Sequence, residues 1–298
     1  MSVELAVATP AFLDLTFVGL EQLPGPGEER FAGDLVSSPG GGAITAIGAA
    51  RLGLRAVLAA PLGEDAEGDY VCAALEREGV RVVTRRGART PTTVVMPVDG
   101  ERSFVTYDPG VRTSAAELTA LGPEAVAVSL DQLALVPDGV RAYVTCGDDD
   151  ARAYAGRPPA ALTGARALFV NRREALVLTG CATPEAAAER LAPCAEVVVV
   201  TLGAEGALAT TEGRTIQVPG VDVGRPVDTT GAGDLFCAAY AWADLRGAEP
   251  EARLRWAGLY AALSVTEPTG AGGASSAARL IEEGTRRGLP ALAAAPLS

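Results

Sequence analysis

The stretch Asp228-Thr229-Thr230-Gly231-Ala232-Gly233-Asp234 is the part of this 298-residue sequence that decides its fold. A polar run containing Pro226 precedes it, and the apolar, alanine-rich run of residues 235–243 that follows predicts a helix. The two glycines therefore lie where a loop enters the first turn of a helix. Such a junction points several unpaired backbone N–H groups in one direction, at the positive end of the helix dipole, and so favours a bound anion.

The residue types in this stretch indicate what such an anion would meet. Gly231 and Gly233 lack a Cβ atom, so an anion can approach the backbone from Gly231 through Ala232 to Gly233. Asp234 would lie beside that anion, where a carboxylate repels phosphate and so needs a chemical reason to be present. Accepting a proton from an incoming hydroxyl is one such reason. The alternative is an ordinary glycine turn with an N-terminal helix acid, because a short glycine motif is a weak signal.

Composition places the chain among globular proteins. Hydrophobic residues make up 48% of it, unlike the composition of a disordered chain. The net charge of −12, from 25 basic and 37 acidic residues, disfavours nucleic acids and anionic membranes as partners. No apolar run reaches the roughly 18 residues of a membrane span, and residues 1–4 lack the basic start of a signal peptide. We therefore expect a cytoplasmic protein.

Scarce residue types limit the chemistry further. The chain has no histidine, so no imidazole can serve as a base or a metal ligand. It has no lysine either, which excludes Schiff-base chemistry and a P-loop lysine. Phosphoryl transfer would have to rely on backbone N–H groups, arginine and a metal ion. Asparagine occurs once, at Asn171, and the five cysteines show no C-x-x-C pairing, which indicates reduced thiols.

Four segments together resemble one protein family. Asp228–Asp234 resembles the second signature of the ribokinase-like (PfkB) family of carbohydrate and nucleoside kinases. Ser37–Gly53, with a glycine-rich start and the ending Arg-Leu-Gly, resembles the first signature. Asn171–Glu174 matches the family's Asn-x-x-Glu, and Thr201–Gly206 resembles its Thr-x-Gly-x-x-Gly. The segments occur in the family's order, and the resemblance covers nearly the whole chain, most weakly over residues 114–163.

The pattern of apolar runs predicts an α/β fold. Strands alternate with helices and are apolar throughout, which is typical of a three-layer α/β/α arrangement around a mostly parallel sheet. The resemblance implies a single ribokinase-like domain over residues 1–298, with a small β-sheet lid from about residues 13–36 and 90–108. Two β-rich runs flank Asp99-Gly100, which predicts a hairpin in that lid. An edge hairpin of the main sheet is the alternative; we favour the lid because a kinase must exclude water.

Position along the chain supports one common site. Asp14, Asn171, the Thr201–Gly206 turn and the glycines after Asp228 all follow strands or strand-like runs. Ligands of parallel sheets bind beyond the carboxyl ends of the strands, so these segments can converge on one cleft. For Asp14 alone, an acid in a turn at a strand end is the alternative to a substrate ligand.

The resemblance also implies roles for individual residues. Asp234 would be the catalytic base, and the backbone of Gly231, Ala232 and Gly233 would hold charge that develops on the phosphoryl group. The residues implied for substrate binding are Asp14, Gly40, Gly41, Gly42, Thr45 and Phe104. Those implied for ATP binding are Asn171, Thr201, Gly203, Gly206, Thr230 and Gly258. Those implied for Mg2+, through its waters, are Asn171 and Glu174. Those implied for a monovalent cation such as K+ are Asp228, Thr230, Gly270 and Ser275.

Several positions depart from the family pattern. Ile44 stands where the family usually has a substrate-binding asparagine, so that contact is lost or moved to Thr45. Gly258 stands where many members have an asparagine near the adenine. Residues 131–139 form a short link in place of a longer helix. Asp148-Asp149-Asp150 forms an acidic loop that would bind a divalent ion or be a solvated turn, and we favour the turn.

The function that the sequence predicts is transfer of the ATP γ-phosphoryl group to a hydroxyl of a small sugar. A nucleoside kinase of the same family and a non-catalytic nucleotide or sugar sensor remain alternatives. The intact Asp234 favours an enzyme, whereas the departures at Ile44 and Gly258 favour the sensor. An open edge of the lid sheet would allow a homodimer.

Overall fold

The computed structural model describes residues 2–83, 87, 89–98, 101–157 and 164–292. The strands in these ranges are β1 Leu5–Val7, β2 Ala11–Val18, β3 Asp34–Gly41, β4 Ala56–Leu58, β5 Arg81–Val82, β6 Thr92–Val98, β7 Glu101–Tyr107, β8 Ala125–Ser129, β9 Arg141–Thr145, β10 Ala167–Asn171, β11 Val197–Thr201, β12 Gly206–Thr211 and β13 Arg214–Pro219. The α-helices are α1 Gly42–Arg51, α2 Ala66–Arg77, α3 Ala115–Leu121, α4 Asp148–Ala153, α5 Arg172–Thr179, α6 Pro184–Leu191, α7 Ala232–Leu245, α8 Pro250–Ser264, α9 Gly270–Gly273 and α10 Ala277–Arg286. Within these described ranges, no helix has the length and hydrophobicity that crossing a bilayer requires.

The large sheet is mostly parallel, as the apolar strands predict. In the described ranges its strand order is β13-β12-β11-β10-β9-β8-β1-β4-β5. Every neighbouring pair from β11 to β5 is parallel, and β12 and β13 add an antiparallel edge. The central strand β1 pairs on both sides, with Leu5 opposite Ala56 on one neighbour and Ala125 on the other. Parallel strands end at a common edge, and the functional candidates follow those ends.

Alternate residues of the central strands face opposite sides of this sheet, because side chains in a strand alternate. Leu5 and Val7 pack in a core that they share with α1, α7 and α8, whereas Ala6 and Ala8 pack in a second core with α5 and α6. Strand β11 divides its valines between the two cores in the same way. The sheet is therefore the middle of three layers, and the predicted α/β/α architecture is confirmed.

A second, smaller sheet has the order β3-β2-β6-β7. Strand β2 pairs antiparallel with β3 and parallel with β6, and β6 pairs antiparallel with β7. The predicted turn at Asp99-Gly100 lies outside the described residues, but the two strands that flank it pair as expected. The glycine-rich start of the first signature predicts a helix that opens at residues 37–43, but residues 37–41 extend β3, and α1 begins only at Gly42. Pairing with β2 continues as far as Gly41, whose φ of 55° lets the chain turn into the helix.

Residues 114–157, in the region where the resemblance is weakest, contain more regular structure than the sequence pattern indicated. The apolar runs at residues 125–130 and 141–146 predict short strands, and these are confirmed as β8 and β9. The expected link at residues 131–139 instead contains a 3-10 helix, Leu130–Leu135, and the expected solvated turn at residues 148–150 is the first turn of α4. Acidic side chains are favourable at a helix N-terminus, and the Asp150 carboxylate accepts a hydrogen bond from the Gly147 N–H. That explains why three acids begin a helix here.

Candidate active site

The carboxyl ends of four neighbouring parallel strands open into one cleft of about 890 Å³. Ser129, Thr145, Asn171 and Thr201 end β8, β9, β10 and β11, and all four line it. The small sheet contributes the opposite wall. Its residues in the lining include Phe12, Gly41, Phe104 and Thr106. The cleft therefore lies where the topology of an open α/β sheet predicts a ligand site.

Helix α7 begins at the floor of this cleft. Its N-cap, Gly231, has a left-handed φ of 74°, and a Cβ atom there would press against Ile44 and Gly270. Glycine is thus required at this position for both conformation and space. Gly233 and Asp234, in the first turn of α7, line the cleft. The Ala232 N–H donates a long hydrogen bond of 3.4 Å to the Thr229 carbonyl. An incoming anion would compete with that carbonyl for the N–H.

Asp234 is held from a second helix. The Thr45 hydroxyl of α1 donates a hydrogen bond of 3.2 Å to Asp234 Oδ1. Burial raises the pKa of Asp234 to about 7; the Thr45 hydrogen bond lowers this pKa, and the nearby carboxylates of Asp14 and Glu174 raise it. Thr45, predicted as a substrate ligand, therefore contacts the predicted base.

Asp14 in β2 is brought close to Asp234. It is only 6% exposed, and burial, with the carboxylate of Asp228 as a smaller contribution, raises its pKa to about 7. A Cβ atom on Gly40 would overlap the Asp14 carboxylate, so the glycine at 40 makes room for this acid. The N–H of Gly42 donates to the Pro10 carbonyl at 2.8 Å and fixes the start of α1 beside it.

Asn171 and Glu174 form a reciprocal cap at the start of α5. Asn171 Oδ1 accepts from the Glu174 N–H at 2.9 Å, and the Glu174 carboxylate accepts from the Asn171 N–H at 2.8 Å. Both residues line the cleft. Burial, with smaller contributions from the carboxylates of Asp148 and Asp150, raises the pKa of Glu174 to about 7. A divalent cation would relieve this crowded negative charge, so the residues present fit Mg2+.

The residues predicted for the nucleotide are only partly brought together. Thr201 lines the cleft. Gly203 begins a 3-10 turn with a φ of 63°, and a Cβ atom on Gly206 would overlap the backbone of β13 near Val218. Both glycines therefore shape the tight turn after β11. Gly258 lies inside α8 with open space at its Cβ position. It is not among the described residues that line the cleft.

The predicted cation ligands lie on two loops that are joined by one carboxylate. Asp228 accepts hydrogen bonds from the N–H groups of Thr230 at 2.8 Å and Thr269 at 3.0 Å. Gly270, the next residue, packs against Gly231 and Ile44. Ser275 is 5% exposed, and its hydroxyl has no hydrogen-bond partner among the described residues. A buried oxygen of this kind fits a monovalent cation.

Three features of the site were not predicted from the sequence. Arg102 of β7 reaches across the cleft and donates a 3.1 Å hydrogen bond to the Thr230 hydroxyl. Strand alternation places Arg102 on the same face as Phe104, but a pattern alone does not tell which face is inward. Ile44 is 1% exposed and packs against Gly231 and Gly270. The acids at 148–150 line the cleft, and their position just after β9 was a signal that could have indicated this.

Comparison with known proteins agrees with this geometry. Residues 17–277 match the family described as pfkB family carbohydrate kinase. The ribokinase of Bacillus subtilis is 32% identical over 263 residues, which covers 82% of this chain and 87% of that protein. The structure of Arabidopsis thaliana ribokinase complexed with ribose and ATP is 27% identical, with a TM-score of 0.77, and covers 95% of this chain and 98% of that chain.

A further solved structure is similar in fold alone. The ribokinase of Thermotoga maritima has a TM-score of 0.79 at 20% identity, covering 95% of this chain and 99% of its own. Together these findings define the class of protein: an ATP-binding phosphotransferase that acts on a hydroxyl group. The chain belongs to the pfkB family of carbohydrate kinases, with the ribokinase-like fold.

Proposed function

We propose that the protein phosphorylates a small sugar with ATP and that Asp234 is the base. The observation that carries this proposal is the position of Asp234 in the cleft, in the first turn of α7 and three residues after Gly231. Its pKa of about 7, which results mainly from burial, suits a general base at neutral pH. A carboxylate beside bound phosphate would only weaken binding in a non-catalytic sensor. This argument supports an enzyme.

In the proposed reaction, an acceptor hydroxyl oxygen attacks the γ-phosphorus of ATP while Asp234 takes the hydroxyl proton. The bond between the γ-phosphorus and the β–γ bridging oxygen breaks, and ADP leaves. The backbone N–H groups of Gly231, Ala232 and Gly233 stabilise the charge on the phosphoryl oxygens, supported by the dipole of the 14-residue helix α7. One preorganised donor of this kind is often worth about 3 kcal/mol.

The inner face of the small sheet supports a polyhydroxylated acceptor. Phe12 lines the cleft, so by alternation Asp14 and Thr16 of the same strand share its face. Thr93 pairs with Asp14, and its hydroxyl lies 3.1 Å from that of Thr106. Asp14 would accept hydrogen bonds from sugar hydroxyls. Because the Arabidopsis relative was solved with ribose, ribose is the first acceptor to test.

On the phosphate side, the proposed ligands of ATP are Thr201, Gly203, Gly206 and Thr230, and Asn171 and Glu174 are the residues that would hold Mg2+. When bound, that ion supplies positive charge to the β- and γ-phosphates. The proposed monovalent site consists of Asp228, Thr230, Gly270 and Ser275. The role proposed for Gly258, which has open space at its Cβ position, is to let adenine pack against α8.

We also propose that two copies associate through the outer face of the small sheet. Leu35, Val105 and Tyr107 there are 51%, 62% and 51% exposed. Leu35 lies on β3, and Val105 and Tyr107 lie on β7, the two edge strands of this sheet. Exposed apolar side chains on one face of a sheet are typical of an association surface. A second copy offers a face that is apolar in the same way, as a two-fold interface requires.

An acceptor screen tests the proposed function. Purified protein with ATP and Mg2+ is incubated with ribose, other pentoses and hexoses, and nucleosides, and ADP formation and phosphorylated product are measured. We expect ADP release that depends on a sugar and matches the product one to one. Turnover with nucleosides alone would move the assignment to a nucleoside kinase, and nucleotide binding without any transfer would favour the sensor.

A further inference from the structure

Four threonines lie within the described helices, and one of them behaves differently. Thr119, Thr179 and Thr285 each donate their hydroxyl to the carbonyl four residues earlier, which is the usual partner of a helical threonine. Thr45 instead donates across the α1–α7 interface to Asp234 Oδ1. It is 2% exposed, as is Thr179. The hydroxyl at position 45 therefore serves a contact between helices that are far apart in sequence.

The neighbouring residue fixes the geometry of this contact. Ile44 packs into the space left by Gly231 and Gly270, where a Cβ atom on either glycine would meet its side chain. Gly48, one turn further along α1, is equally close: a Cβ atom there would meet Leu235 and Ala238 of α7. Helices α1 and α7 therefore pack closely, with glycine at the contact.

We propose that Thr45 is a positioning residue, whose hydroxyl holds Asp234 by Oδ1 so that Oδ2 is left to take the proton of the acceptor. This inference rests on the proposed function, since it assigns a role toward the same base. It replaces the role in substrate binding that the family resemblance implied for Thr45. The acceptor would instead be recognised by the small sheet.

The same contact affects how easily Asp234 ionises. The charged or titratable groups that face Asp234 are Asp14 from β2, Glu174 from α5 and Cys237 from α7. The two carboxylates raise the pKa of Asp234, whereas the Thr45 hydrogen bond lowers it. Removing the hydroxyl should raise the pKa and move the acid limb of the rate profile to higher pH.

The test compares Thr45→Val, which is close in shape but lacks the hydroxyl, with Thr45→Ser, which keeps it. With ATP and ribose, we expect Thr45→Val to lower kcat by at least about tenfold, to leave KM for ATP within about twofold, and to shift the acid limb to higher pH. Thr45→Ser should restore both kcat and the limb. Thr179→Val controls for loss of a buried helical hydroxyl and should leave the limb unchanged.

A second measurement does not depend on any acceptor. In protein labelled with carbon-13 at aspartate carboxyl groups, the Asp234 resonance is assigned by its loss in Asp234→Asn and then titrated. A higher midpoint in Thr45→Val than in wild type supports the inference, even if ribose is not the substrate. Unchanged midpoint and unchanged kcat in Thr45→Val would overturn it, while an active Asp234→Asn would overturn the base assignment itself.

Discussion

Three carboxyl groups around one cleft share an unusual property. Burial, with a smaller contribution from nearby carboxylates, raises the pKa values of Asp14, Glu174 and Asp234 each to about 7. In the unfolded chain an aspartate has a pKa near 3.8. The folded protein therefore binds protons more tightly than the unfolded chain between these two values. By linkage, each group contributes stability at low pH that is lost as pH rises toward 7.

Asp14 gives the first prediction, because its carboxylate is buried and burial is the main cause of its raised pKa. Asp14→Asn carries no charge at any pH, so its stability relative to wild type should improve by at least about 1 kcal/mol between pH 5 and pH 7.5. Urea unfolding at both pH values measures this. The exposed Glu21→Gln serves as the control. An equal stability difference between Asp14→Asn and wild type at the two pH values would contradict the raised pKa of Asp14.

For single residues, the sequence indicated which positions lie at or near the cleft, but it did not indicate the contacts of their side chains. Asp14 and the glycines before Asp234 were expected to converge on one cleft, and in the structure the Asp14 carboxylate is near enough to Asp234 to raise its pKa. Asn171 was singled out because it is the only asparagine, and it caps α5 at the cleft. The partner of Thr45 could not be predicted, since a contact across 189 residues depends on how two helices cross.

Among the elements, the start of α1 shows how one substitution changes the role of a segment. Ile44 stands where the family usually has a polar substrate ligand, yet its side chain is 1% exposed and fills the space beside Gly231. The first turn of α1 is thus part of the packing that supports the loop before α7. In the proposed function, specificity for the acceptor would then depend on β2, β6 and β7.

The variant Ile44→Asn tests whether position 44 supports the loop before α7. If Ile44 supports the loop, an asparagine there should cost about 2–4 kcal/mol of unfolding free energy, because a polar amide is buried without partners. The matched variant Ile44→Val should cost only about 0.5–1.5 kcal/mol. Urea unfolding gives both values. An Ile44→Asn protein of normal stability with a lower KM for ribose would show that position 44 faces the acceptor after all.

The limits of sequence prediction are also visible among the elements. Apolar strands such as β11 agree with the predicted parallel sheet, because burial on both faces leaves a continuous hydrophobic run. The hairpin of β12 and β13 was missed, although Glu212-Gly213 separates its strands with two left-handed residues. Helix α4 was missed because three adjacent acids more often lie in solvent. An ion pair of 3.1 Å between Asp148 and Arg173 of α5 adds a contact that the local sequence pattern does not show.

Across the whole molecule, the two sheets meet at the cleft. Arg102 of the small sheet contacts Thr230 in the loop that precedes α7, and its guanidinium lies 5.8 Å from the ring centre of Phe104. The small sheet therefore reaches the proposed phosphoryl site directly. Its other face is the exposed apolar surface for which a second copy is proposed.

The association proposal gives the third prediction. Val105→Arg places a charge on the outer face, where two copies would bring two such charges together, and it should convert a dimer into a monomer. Ile281→Arg, at a 49% exposed apolar residue on α10, is the control and should leave the mass unchanged. Sedimentation equilibrium measures both. A wild-type protein that is monomeric at micromolar concentration would refute this interface.

The central claim is that the backbone at the start of α7 holds a phosphoryl group while Asp234 deprotonates its acceptor. The most direct measurement is the turnover of Asp234→Asn beside its affinity for ATP. The account predicts that kcat falls by about 10²–10⁴, the usual contribution of a general base, while the Kd for ATP stays within about threefold. An Asp234→Asn protein that turns over near the wild-type rate would contradict it.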